Sequence, residues 1–351
     1  MKQSTRRNVW LQVITGSMII ILFVCQGRLG RPVELDSGYR QVMGTFTRVL
    51  VVASDKKSAL NAINAAMAVF DRVETLMSDY DPNSQLSEVN RRAFAEPVAV
   101  DPELFEVLSA AVTYSALSDG AFDITVGPVV QLWRQARQTG VAPTPEQVEA
   151  ARAKVGYRHV LLDPQAQTVR FAVEGMLLDV GGIAKGYAVD KAAAAMRQAG
   201  AAGGLVDLGG NLLCFGKPVE SKPHWYIGLQ DPASDEHILM RLKLDGRAVA
   251  TSGDYRRFTV LDGQKHSHII DPATADSAQD LSSVSIIAAS AMEADALSTA
   301  VSVLGPEKGL ALIESLDDIE AILIPAAPPQ NIRMTPGASR YIEDAPVPDS
   351  R

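Results

Sequence analysis

The sequence predicts an α+β protein. Three observations carry that reading: an apolar strand runs directly into one long amphipathic helical pattern, seven short apolar segments crowd the second half, and 47% hydrophobic residues with 21% scattered charge can build and cover a large core. An N-terminal α/β part is followed by a C-terminal mixed part. A chain of 351 residues holds about one to three domains. Its composition excludes disorder, and 26 glycines without a three-residue period exclude a collagen-like chain. The net charge of −8, falling to about −11 without Lys2, Arg6 and Arg7, would repel phosphate backbones, so no nucleic-acid partner is expected. Cys25 and Cys214 provide neither a disulfide framework within the body nor a cysteine zinc site.

The elements follow in order. Lys2, Arg6 and Arg7 precede an apolar run over 9–25, interrupted only by Gln12, Thr15, Gly16 and Ser17. This is the layout of a secretory signal, and it is short for a membrane span, which needs about 20 residues. Residues 1–27 therefore read as an export signal or N-terminal anchor. Arg6-Arg7, with Val9 and Trp10 after them, resembles a twin-arginine signal, with ordinary secretion and a retained anchor left open. Lipidation at Cys25 is weaker, because Val24 is bulky where such signals carry a small residue. Each reading places the body outside the cytoplasm, in the periplasm or on the periplasmic face of the inner membrane.

A strand fits 42–53, and over 55–77 Leu60, Ile63, Met67, Phe70, Val73 and Met77 fall at three- and four-residue steps on one helical face. Asp81-Pro82-Asn83-Ser84 breaks that helix, Asp101-Pro102 starts another ending near Asp119-Gly120, and a third covers 145–155. Two or three short strands fit 159–178, and an alanine-rich helix over 183–199 stops at Gly200. Strands are expected at 204–207, 212–215, 225–229, 238–244, 257–261, 284–288 and 319–324, and helices at 291–304 and 307–315. Six of the 19 prolines lie beyond Ile324, so 325–351 reads as an extended strand and loose tail.

Five clusters carry chemical signal. Asp179-Val-Gly-Gly-Ile-Ala-Lys-Gly-Tyr187 lies at a strand-to-helix junction, where paired glycines and a helix N-terminus suit an anion such as phosphate, or simply close a turn. Its spacing is neither a Walker A loop nor a dinucleotide fingerprint. Asp295 and Thr299 are four apart on a helix, so their oxygens can aim at one Mg²⁺. Two oxygens are an incomplete shell, which points to a metal–phosphate substrate. The alternative is an Asp favoured by its own helix dipole and a Thr bonded back to its own helix. In His266-Ser-His268-Ile-Ile-Asp271-Pro272 the two histidines share one strand face, and either can serve as general base or be surface. Thr251-Ser-Gly-Asp-Tyr255 suits a tight turn lining a pocket, or a hairpin. Met43, Tyr80 and Ala121-Phe122-Asp123 offer groups that can bracket a planar ring or fill a core.

Taken in order, Met43-Gly-Thr, Ser84-x-x-Ser87-x-x-Asn90, Phe122-Asp-Ile-Thr-Val-Gly-Pro128 with Leu132-Trp133, Asp179 to Asp190, Gly209-Gly-Asn211, Thr251 to Tyr255, His268-Ile-Ile-Asp-Pro272 and Asp295-Ala-Leu-Ser-Thr299 resemble the ApbE family, the FAD:protein FMN transferases. The likeness covers roughly 43–324. It implies a T-fold-related arrangement of mixed, largely antiparallel sheets with helices packed on them, two lobes around a flavin-binding cleft, within a discontinuous domain over 40–324. It also implies an enzyme that uses Mg²⁺ to cut the FAD pyrophosphate and joins FMN to a Thr or Ser hydroxyl of a target protein, releasing AMP. By motif, Asp295, Thr299 and the carbonyl of Gly182 would hold the metal. Met43, Tyr80, Ala121, Phe122, Asp123, Asp179, Lys185 and Ile269 would line the FAD site, with Asp179 on the adenine amine, and His268 would be the base. The target implied is a membrane-associated respiratory redox subunit. An FAD pyrophosphatase and a non-catalytic exported flavin-binding protein are the alternatives. The chain departs from the family pattern at Ala275, where many members carry Gly.

Overall fold

Alternating side chains on the first strands feed two cores from opposite faces of one sheet. The computed structural model describes residues 31–219, 222–234, 237–253, 258–261, 264–326 and 331–343. The expected export signal over 1–27 lies outside them, as do Asp254 and Tyr255. β1 (Val33–Asp36) and β2 (Arg40–Val42) both pair with β3 (Thr45–Ala53), each along a different half. The single strand expected over 42–53 is therefore divided. Met43 (φ 47) and Gly44 (φ 67) form a two-residue left-handed turn between β2 and β3, the geometry that matches strand twist in a tight hairpin.

α1 (Lys56–Met77) starts where Asp55 accepts from the Ser58 N–H at 2.9 Å. It buries Ala59, Ala62, Ile63, Ala66, Phe70, Val73 and Met77, whereas Leu60, expected inside, is 44% exposed. Alanines turn inward because they let a neighbouring helix approach closely. Next come α2 (Gln85–Arg92), β4 (Val98–Ala99), α3 (Pro102–Leu117), α4 (Gly127–Thr139), α5 (Pro145–Arg152), β5 (Val160–Asp163) and β6 (Thr168–Phe171). α2 and α4 were not expected. The first is capped by Ser84, which accepts from the Ser87 N–H at 3.0 Å. The second carries Pro128 in its first turn and ends at left-handed Gly140.

α6 (Ala184–Gln198) precedes β7 (Gly203–Leu208), β8 (Asn211–Phe215), β9 (Trp225–Gln230), β10 (Ile238–Leu244) and β11 (Ala248–Gly253). Thr251-Ser-Gly253 is thus the end of a strand, and the rest of the turn or hairpin expected over 251–255 lies outside the described residues. β12 (Phe258–Leu261), β13 (Gln264–Ser267), β14 (Ile270–Asp271) and β15 (Asp276–Ser277) form two small hairpins, β16 (Leu281–Ala288) follows, and α7 (Ala291–Glu314) breaks at Gly305 (φ 76) and Pro306 into the two expected helical pieces. β17 (Glu320–Pro325) and β18 (Arg333–Met334) complete the strands. Past β18, the turn over Pro336–Tyr341 buries Ala338, so that part of the tail packs.

The main sheet runs β1-β3-β7-β8-β11-β16-β17-β18 with β2 beside β3, and its pairs are antiparallel, as the α+β class expected. Val49, Val51 and Ala53 face the larger core with α1 and α6, while Val52, Leu205, Cys214 and Val249 face a second core under the β9–β10 hairpin. A cavity of about 310 Å³ opens on that second face, lined by Arg48, Asp207, Leu212, Tyr226, Thr251 and Ser285 among others. Among the described residues no helix is long and apolar enough to cross a membrane.

Candidate active site

Two helices cap each other, and this fixes the centre of the site. The first turn of α6 has no side-chain cap of its own, and such a turn leaves N–H groups without partners. The Asp295 carboxylate, from α7, accepts from the Gly186 N–H at 2.9 Å. In return Asp190 of α6 accepts from the N–H groups of Ala291 (2.8 Å) and Met292 (2.9 Å) and from the Ser290 hydroxyl (2.7 Å) at the start of α7. Burial raises the Asp190 carboxyl above its ordinary value, opposed by those donors. Gly186 permits the arrangement: a Cβ there would stand 2.2 Å from the Ala291 carbonyl oxygen.

Asp295 is 3% exposed, and a carboxylate so buried needs compensation. Lys185 provides it, with Nζ 3.1 and 3.3 Å from the two carboxylate oxygens. Asn211, its amide oriented to suit both neighbours, donates to Asp295 Oδ1 at 3.0 Å and accepts from Lys185 Nζ at 3.1 Å. Thr299 donates its hydroxyl hydrogen to the Asp295 carbonyl at 3.3 Å, the helix back-bond weighed from the sequence. That bond uses the hydroxyl hydrogen and not the Oγ1 lone pairs. A Cβ on Gly182 would lie 3.0 Å from Thr299 Oγ1 and 3.2 Å from the Phe122 ring. Gly182, Thr299, Asp295, Lys185 and Phe122 therefore form one cluster. Its carboxylate, hydroxyl and main-chain carbonyl are hard oxygen donors of the type Mg²⁺ takes. Among the described residues no group of three His, Cys, Asp or Glu gathers as a metal site.

A second cluster surrounds Asp179. Asn90 clamps the preceding residue, donating to the Leu178 carbonyl (3.0 Å) and accepting from its N–H (2.7 Å). Asp179 accepts from the Gly181 N–H at 2.8 Å and from Arg134 Nη2 at 3.1 Å. Arg134 also pairs with Asp79, and its guanidinium lies 4.3 Å from the centre of the Tyr80 ring, itself 75% exposed. Burial raises the Asp179 carboxyl, the Asp79 carboxylate raises it further, and Arg134 opposes both.

The other expected residues sit in their own frameworks. Met43 occupies the β2–β3 turn, its N–H 3.4 Å from Glu74. Ala121 lies on the loop after α3, its N–H donating to Ser118, and Phe122 is buried at 2% exposure. Asp123 has both oxygens engaged, accepting from Thr125 N–H (2.8 Å) and hydroxyl (2.7 Å) and from Tyr157 N–H (2.8 Å), so it braces the loop. Burial raises its carboxyl, and those bonds oppose the rise. Ile269 is buried, its carbonyl accepting from Ala278. The expectation that His266 and His268 share one strand face meets a limit, because β13 ends at Ser267. His266 stacks on Trp133 with ring centres 4.5 Å apart and pairs with Asp276 at 3.2 Å, while His268 is exposed in the bend that follows. The turn at Ala275 holds despite the missing glycine: φ is 58, and its carbonyl accepts from Trp133 Nε1 at 2.9 Å.

Asn211, Asp190 and Arg134 were not singled out from the sequence as site residues. Asn211 had a signal in the glycine pair before it, where Gly209 and Gly210 take positive φ. Asp190 closes the motif that starts at Asp179, though its capping role depends on partners about a hundred residues away, and Arg134 had no signal because its partners are distant along the chain.

The α+β sheet thus carries a mutually capped helix pair whose oxygen donors gather beside Lys185. The model of the ApbE family matches residues 43–323, and the chain belongs to that family. It is 35% identical over 274 residues to the FAD:protein FMN transferase of Salmonella typhimurium, covering 76% of this chain and 78% of that one. Its fold matches the ApbE protein of Thermotoga maritima at a TM-score of 0.80 and 31% identity, covering 90% of this chain and all of the other. The flavin transferase ApbE of Vibrio cholerae matches at 0.77 and 28%, covering 88% and 99%. The resemblance and fold class read from the sequence are thus correct, and the chain is an enzyme of the transferase class.

Proposed function

We propose that this protein is a Mg²⁺-dependent FAD:protein FMN transferase, which breaks the FAD pyrophosphate and esterifies the FMN phosphate to a Thr or Ser hydroxyl of a target flavoprotein, releasing AMP. The observation that carries this reading is the buried Asp295 carboxylate, held by Lys185, Asn211 and the first turn of α6 beside Thr299 and Gly182. Asp295, Thr299 and the Gly182 carbonyl would hold the cation. Bound there, Mg²⁺ would supply positive charge to the phosphoryl oxygens.

The chain's own residues would do the rest. Lys185 and the positive end of α6 hold phosphate oxygens. Asp179 accepts from the adenine amine, with Tyr80 beside it, while Met43, Ala121, Phe122 and Ile269 bound the flavin end. Asp123 contributes by bracing the 121–125 loop. His268 takes the proton from the acceptor hydroxyl as its oxygen bonds to phosphorus and the bond to AMP breaks, a role worth about 10²- to 10⁴-fold. The target is a membrane-associated respiratory redox subunit met outside the cytoplasm, a placement supported by Arg6-Arg7 and the apolar run after them.

Incubation with FAD, Mg²⁺ and a candidate acceptor, followed by intact-mass measurement, tests this: the acceptor gains FMN and AMP appears. Free FMN and AMP with an unmodified acceptor would instead show a pyrophosphatase.

A further inference from the structure

Arg134 joins Asp179 and Asp79 to the exposed Tyr80 ring. One guanidinium nitrogen donates to Asp179 at 3.1 Å, another to Asp79, and the cation covers the Tyr80 face at 4.3 Å. It comes from α4, whereas Asp79 and Tyr80 follow α1 and Asp179 precedes α6, so three chain segments meet on this side chain. A planar fork with donors on two edges can bridge two carboxylates and stack on a ring at once, which an ammonium cannot.

Resting on the function proposed above, we propose that Arg134 is the positioning residue that sets base specificity, pairing with Asp179 and aiming its carboxylate so that the site accepts a 6-amino purine and rejects a 6-oxo purine. An ionised carboxylate accepts from an exocyclic amine and has no hydrogen to offer a carbonyl oxygen. Without Arg134, Asp179 and Asp79 face each other with only the charge of Lys185 left to offset Asp179. One then takes up a proton and becomes a donor that a 6-oxo group can use. The Tyr80 ring loses its stacked partner in the same step, so the nucleotide end loosens while the Asp295 cluster is untouched.

The test compares FAD with flavin hypoxanthine dinucleotide as donors of FMN to an acceptor, in the wild-type enzyme, R134Q and R134K. Wild type is expected to prefer FAD. R134Q is expected to raise KM for FAD roughly 10- to 100-fold, with kcat changed less than about threefold, and to lose most of the preference. R134K, which keeps a charge but not the fork, is expected to raise KM less and to keep most of the preference. Wild-type preference in R134Q, or an unchanged KM for FAD in R134K, overturns the role of Arg134, and the second result decides the matter even if R134Q does not fold. No FMN transfer by wild type from either dinucleotide overturns the functional reading instead.

Discussion

Asp295 is both a structural cap and the candidate metal ligand, and the two roles separate by substitution. In D295N the amide oxygen can still accept from Gly186, but the amide nitrogen faces the Lys185 ammonium and the negative charge is gone. FMN transfer is expected to fall at least about 100-fold, because charge stabilisation at the phosphoryl group is usually the largest catalytic contribution, while FAD binding measured by equilibrium dialysis persists. T299V keeps the side-chain shape and removes only the hydroxyl, and is expected to shift the Mg²⁺ titration of transfer to higher concentration. H268A should lower kcat by about 10²- to 10⁴-fold with little change in FAD affinity, as single-turnover flavin fluorescence of the acceptor would show. At this scale the sequence was informative wherever a residue acts through its chain neighbours. Asp295 and Thr299 are one helical turn apart, and Gly182 needs its small size against Thr299. Arg134 stayed hidden, and so did the capping role of Asp190, because an arginine or aspartate on a helix surface reads as solvated until its distant partners are placed.

The helix pair α6 and α7 holds the site through exchange of carboxylates. G186A places a methyl group 2.2 Å from the Ala291 carbonyl, a backbone atom that cannot step aside. It should cost about 1–3 kcal/mol in urea unfolding and abolish transfer, since the same shift moves Asp295 from Lys185. D190A removes a cap from α7 and should cost about 0.5–2 kcal/mol, with faster amide exchange at Ala291 and Met292. α4 works in a comparable way: Trp133 meets His266 and Ala275 on the hairpins that carry His268, and the adjacent Arg134 meets Asp79 and Asp179. Helix α4 was hidden in the sequence because its start, Val126-Gly127-Pro128, reads as loop punctuation. The strand over 42–53 was misjudged for the opposite reason, since Met43 and Gly44 look apolar or neutral yet turn the chain. Thr251-Ser-Gly253 resembled a turn by composition, whereas sheet pairing with β16 and the Ser252–Ser298 hydroxyl contact hold it extended.

Across the whole molecule, the antiparallel sheet separates a helix-covered core from the core under the β9–β10 hairpin, and the Asp295 cluster lies on the helix side. Phe70, fully buried in the helix-side core, should cost about 3–5 kcal/mol as F70A, read as a lower urea midpoint. The fold class was legible because apolar segments of strand length dominate the second half and helical periods the first. The sheet order, with β3 beside β7 and β11 beside β8, depends on contacts between distant segments that no local pattern encodes. A divalent cation held by Asp295, Thr299 and Gly182 is expected to drive flavin transfer. The decisive measurement is the intact mass of an acceptor after incubation with FAD, with Mg²⁺ or with a chelator in excess. The expected result is an acceptor heavier by one FMN only when Mg²⁺ is present and Asp295 intact; equal labelling in chelator, or by D295A, would contradict it.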